Sequence, residues 1–130
     1  MKKFVTLLLC MLPISLFAQV NDGIRQAMDN YDYETVVMLI ESDCQDSLLL
    51  ITKAQALKAM NRYPEAIGVL NSLILKDSTN TKVLIDLAEC YKLTGNSRRA
   101  ANCYQKAMNL QPENKFFRLQ FCLLYTSPSP

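Results

Sequence analysis

Residues 47–80 and 81–114 align without a gap, an internal repeat with a period of 34. Leu50 falls on Leu84, Ala54 on Ala88, Leu57 on Tyr91, Asn61 on Gly95, Ala66 on Ala100 and Leu70 on Tyr104. A unit of this length is one supersecondary block whose apolar stripe is covered only by stacking on its neighbours. In the second copy Leu84, Leu87, Ala88 and Tyr91 share one stripe at helical spacing, and Ala100, Cys103, Tyr104 and Ala107 share another. Thr94-Gly95-Asn96-Ser97 divides them: Gly95 suits a left-handed helix end, and Asn96 or Ser97 can start the next helix. Pro64 fits the first turn of its helix, where a missing N–H costs little. Alanine at positions 88, 100 and 107 lets helices approach closely, while Tyr91 and Tyr104 fill the larger gaps. Three glycines in the whole chain leave few breaks. The pattern predicts helices near 21–30, 33–42, 47–60, 64–76, 81–94, 97–109 and 114–121.

The order Leu84-x2-Leu87-Ala88-x2-Tyr91, then Ala100-x3-Tyr104-x2-Ala107-x4-Pro112, resembles the tetratricopeptide repeat, with Leu84 where that family often has tryptophan. The copy at 47–80 is less regular: Lys53 takes the slot of Leu87, Leu73 that of Ala107 and Ser78 that of Pro112. A degenerate pair precedes it at 21–46, where Tyr33-Glu-Thr-Val36 aligns with Tyr63-Pro-Glu-Ala66 at a spacing of 30. A further unit starts at 115–121, with Phe121 on the slot of Leu87 and Arg118 replacing Leu84. The resemblance implies an all-α fold, antiparallel helix-turn-helix repeats stacked as an α-solenoid. It also implies a non-enzymatic scaffold that binds a protein or peptide in the groove lined by the first helix of each pair.

Opposite the core stripe, residues 81–94 present Lys82, Ile85, Asp86, Glu89 and Lys92, and residues 47–60 present Leu48, Ile51, Thr52, Gln55 and Lys58. These are the candidate groove residues, with apolar anchoring near Ile51 and polar selection near Lys82 and Glu89. Taken singly, the charged ones read more readily as a solvated helix face with pairs at i,i+3 and i,i+4, and the groove rests on the set as a whole. Some tetratricopeptide domains hold the C-terminal carboxylate of heat-shock chaperones in a clamp of lysine, asparagine and arginine. The clamp slots here carry Ile51, Gln55, Lys82, Asp86 and Gln120; only Lys82 fits and Asp86 has the wrong sign, so that activity is not expected.

Both ends of the chain read as lying outside the fold. Lys2 and Lys3 followed by an apolar stretch to Phe17, with Ala18 before Gln19, form a secretory signal over residues 1–18, which predicts an exported protein of the periplasm or outer envelope. The run is too short, and is broken by Pro13, for a membrane span. Any membrane contact is expected only through an unseen C-terminal part. Residues 122–130, Cys-Leu-Leu-Tyr-Thr-Ser-Pro-Ser-Pro, resemble a translated transposase adapter from sequencing-library preparation, and are expected to be non-native. On that reading the visible repeats could also be the docking or sensory region of a longer enzyme or regulator. With the last unit uncovered, the 19–121 fragment is expected to be marginal or to self-associate.

Charge and residue usage exclude several chemistries. Beyond Lys2 and Lys3, 12 basic residues balance 12 acidic ones, so nothing draws the chain to nucleic acid. The charges are nevertheless polarised. Asp22, Asp29, Asp32, Glu34, Glu41, Asp43 and Asp46 face Arg25 alone in 21–46, whereas 82–118 hold seven bases against Asp86, Glu89 and Glu113. That polarity would suit a dipolar partner or head-to-tail self-association. Histidine is absent, which removes Ser-His-Asp and Cys-His catalysis and the usual zinc sets; no metal or cofactor is expected. Cys90 and Cys103 lie on the two helices of one pair, near enough to consider a bridge, but their small-residue slots favour two buried thiols.

Overall fold

Seven helices and no strand occur among residues 18–41 and 44–126, the residues that the computed structural model describes. Helix α1 covers residues 18–29, followed by α2 (Tyr33–Leu39), α3 (Ser47–Ala59), α4 (Tyr63–Lys76), α5 (Thr81–Leu93), α6 (Ser97–Leu110) and α7 (Lys115–Thr126). Each helix packs on the next in chain order, which is the topology of a stacked array. The signal expected over residues 1–18 lies outside the described residues apart from Ala18, which is helical in α1. None of the described helices is long and apolar enough to cross a membrane.

Local chemistry starts and stops these helices. Asp32, Asp46, Asn80 and Asn96 each accept a backbone N–H of the first turn of α2, α3, α5 and α6. They thereby satisfy donors that a helix start leaves orphaned. Pro64 sits in the first turn of α4, where no side-chain cap is present. Three of the helix ends are the same structure repeated. Asp32 N–H reaches Ala27 C=O, Arg62 N–H reaches Leu57 C=O and Asn96 N–H reaches Tyr91 C=O, each at 2.8 Å. The residue before each has a positive φ: Tyr31, Asn61 and Gly95. This five-back bond over a left-handed residue is the Schellman cap, which turns the chain into the antiparallel second helix. The degenerate first pair therefore carries the same turn as the two clear repeats.

The core follows the stacking. A central cluster joins Leu50, Ala54 and Leu57 of α3 to Ala66, Leu70 and Leu73 of α4, and continues through Val83, Leu87, Cys90 and Tyr91 of α5 to Ala100 of α6. Ala56, on another side of α3, joins Ile24, Ala27, Val36 and Ile40 in a cluster with α1 and α2. Leu84 of α5 turns the other way and meets Ala107 and Phe117. Helices α3 and α5 are thus apolar towards both neighbours, as the stacking of pairs requires. Ala88 and Tyr104 are buried as well. Pro112 is exposed in the turn between α6 and α7.

Two boundaries depart most from expectation. Helix α2 ends at Leu39, because Ile40 turns extended and its carbonyl is taken by Lys53 Nζ at 3.0 Å. Lys53, which breaks the apolar pattern of its copy, thereby ties α3 to the end of α2. Helix α7 runs to Thr126 and takes in part of the 122–130 segment, since nothing between Phe121 and Thr126 breaks a helix and Thr126 Oγ1 bonds back to Cys122 C=O. Residues 127–130 lie outside the described part.

Candidate functional site

The first helices α3 and α5 present one common face, and a charged group spans it. Lys58 Nζ on α3 donates to Glu89 Oε2 at 2.6 Å and to Asp86 Oδ1 at 3.0 Å, both on α5. Lys58 and Asp86 are mostly shielded, with side-chain exposures of 19% and 15%, so this is more than a surface pair. Burial works to lower the Lys58 pKa, but the hydrogen bonds to Glu89 and Asp86 outweigh it and hold the ammonium above the ordinary lysine value. The acids thus pair across successive repeats, not with Lys82 or Lys92 along α5 as a solvated face would. Lys58 aligns with Lys92 one period on, so a lysine near the end of one first helix falls beside acids about a turn earlier on the next. That register was present in the repeat, but only the stacking shows which helix faces which.

One oxygen of the group is left over. Asp86 Oδ2 is buried and meets no hydrogen-bond partner among the described residues. An orphaned buried carboxylate oxygen is costly and is normally supplied with a donor. The remaining candidates differ in exposure. Gln55 is half-buried and Lys82 and Lys92 are exposed. Ile51 is half-buried against the central cluster, and Ile85 against the cluster of Leu84, Ala107 and Phe117. Both isoleucines are therefore a floor already in use by the core, with Leu48 the more exposed apolar side chain at 71%.

Among the described residues Cys44, Cys90, Cys103 and Cys122 are free thiols. Burial pushes Cys90 up to about 11 and also raises Cys103, so neither is a nucleophile at neutral pH. No group of three metal-binding side chains converges among the described residues.

Sequence reasoning missed a second concavity, on the face opposite the groove. Helices α4 and α6 form its walls and α5 its floor, in two adjoining hollows that share Ile74, Leu84 and Lys106. The larger encloses about 320 Å³. Nothing in the repeat pattern marks it, because its walls are second-helix positions that the repeat leaves variable.

The tetratricopeptide repeat family model matches residues 57–120. The DnaJ homolog subfamily C member 7 homolog of Dictyostelium discoideum is 34% identical over 86 residues, which is 65% of this chain but 16% of that protein. Among solved structures, the first TPR of Spaghetti (RPAP3) bound to HSP90 peptide SRMEEVD superposes with a TM-score of 0.67 at 16% identity, covering 86% of this chain and 89% of that one. The Yersinia enterocolitica type III secretion chaperone SycD, in complex with a peptide of the translocator YopD, gives a TM-score of 0.66 at 18% identity, covering 86% and 88%. The same 34-residue unit that organises the sequence organises the stack of helices, and over residues 57–120 the chain is built of tetratricopeptide repeats.

Proposed function

We propose that this chain is a non-enzymatic scaffold that binds a protein segment along the face formed by α3 and α5. The observation that carries the reading is the Lys58 group, which joins α3 to α5 and leaves the Glu89 carboxylate 44% exposed on their common face. A bound segment would supply an N–H to the Glu89 carboxylate while resting apolar side chains on Leu48, Ile51 and Ile85. Two structurally similar proteins are seen holding peptides, which supports a peptide-sized occupant. A chaperone-type acidic C-terminus is disfavoured, since Asp86 and Glu89 outnumber Lys58 where a clamp needs cations. The N-terminal signal supports an exported, envelope-associated site of action.

The experiment is capture from a bacterial envelope extract by the tagged chain and by its Ile51→Arg and Asp86→Leu variants, with circular dichroism to show that each folds. A protein retained by the parent and lost from both folded variants supports the reading. Equal capture by all three, or none above background, removes it. Cell fractionation, with mass spectrometry of the mature N-terminus, tests export: a chain that stays cytoplasmic and begins before Ala18 ends that part of the proposal.

A further inference from the structure

The cleft between α4 and α6 combines an apolar floor with a rim of one sign. Leu84 and Leu87 lie at its base and Ile74 on one wall. Arg99 and Lys106 stand on the α6 wall, and no carboxylate lines either hollow. Arg99 is held in place, its guanidinium 5.7 Å from the centre of the Tyr91 ring. Tyr91 is in turn fixed by Asn71, whose Nδ2 donates to its hydroxyl at 3.3 Å. Lys106 ion-pairs with none of the described residues. The nearby acid Asp77 is occupied by Thr79, which donates to Oδ1 from both its backbone N–H at 3.0 Å and its hydroxyl at 2.7 Å.

Arg99 and Lys106 are seven residues apart on one helix, hence two turns and about 10.5 Å along it. Carboxylates seven apart on a second helix have the same spacing, and a side chain midway between them points to the same face. We propose that this cleft docks an amphipathic helix of a partner protein, carrying two acids seven residues apart and a leucine-like side chain between them. The acids meet Arg99 and Lys106, and the apolar side chain enters the hollow over Leu84. Helix-in-groove recognition of this kind needs one anchor and a charge pattern that sets register. The surface is separate from the α3–α5 face, so both segments could be held at once.

The test is fluorescence anisotropy of the full chain with a labelled alanine-based helical peptide of about 18 residues, containing one Glu-Ala-Ala-Ala-Leu-Ala-Ala-Glu block. A second peptide replaces both glutamates with lysine. The expected result is saturable binding of the acidic peptide at low salt, weakened roughly tenfold or more by Lys106→Glu and by Arg99→Glu, with none for the lysine peptide. Arg98→Glu changes the charge equally on the same helix but does not line the cleft, and is expected to bind as the parent does. Thermal melts of each variant establish folding; both reversals are at exposed positions. Failure of the acidic peptide to saturate, binding that survives both Lys106→Glu and Arg99→Glu, or an equal loss on Arg98→Glu would overturn the proposal.

Discussion

Tyr31, Asn61 and Gly95 hold φ values of 59°, 61° and 81°, one at each of three equivalent turns, and they differ in how well they tolerate it. Glycine adopts this region freely, asparagine at modest cost, and a tyrosine with its Cβ against the carbonyl at roughly 1–2 kcal/mol. A Cβ built on Gly95 meets nothing within 4 Å, so Gly95→Ala changes backbone strain alone. That substitution is expected to lower stability by about 1 kcal/mol. Tyr31→Asn is expected to raise it by about 0.5 kcal/mol, part of the gain being offset by losing the edge-on contact of Tyr31 with Tyr33. Urea unfolding midpoints check both signs; a destabilised Tyr31→Asn would show that the ring contact outweighs the strain. The Asn61–Gly95 column was legible in the repeat. Tyr31 was not, because the first unit is shorter and an aromatic residue carries no turn signal.

Between elements, the strongest polar link is Lys58 from α3 to α5. Lys58→Met keeps much of the aliphatic stem but leaves Asp86 and Glu89 facing each other without their cation, and is expected to cost about 1–2 kcal/mol at neutral pH. The sign with pH follows from the raised pKa. Folded Lys58 holds its proton more tightly than in the unfolded chain, so its contribution is complete below the unfolded lysine value and fades as pH rises through the folded one. The melting-temperature gap between parent and Lys58→Met should therefore be flat across neutral pH and narrow only in strong alkali. A gap that instead closes between pH 6 and 9 would place the effect elsewhere. The helices themselves were nearly all legible, since apolar spacing and caps are local signals. Pairings such as Lys58 with Asp86 or Lys53 with Ile40 were not: each depends on which side of a helix its neighbour covers, and that is decided by stacking.

Across the whole molecule the buried residues divide into three clusters, a central one flanked by smaller ones at either end. A linear stack holds each unit by its neighbours alone, so its ends open at lower free energy than its middle. Leu84 tests this, because it is 1% exposed and belongs to the cluster that seats α7, with Ala107 and Phe117. Leu84→Ala removes three carbons from that contact and is expected to cost about 3 kcal/mol, within the usual range for a buried leucine. In a one-dimensional array the loss is spent near its source. Hydrogen exchange should quicken first through α7 and the end of α6, while amides of α1 and α2, at the opposite end, keep the protection they have in the parent. If all seven helices lost protection together and by the same factor, the chain would be a single cooperative unit, and a ligand bound at one end would stabilise the other in full. If the loss stays local, a segment docked on α3 and α5 would rigidify chiefly the middle of the array, leaving α7 free to open.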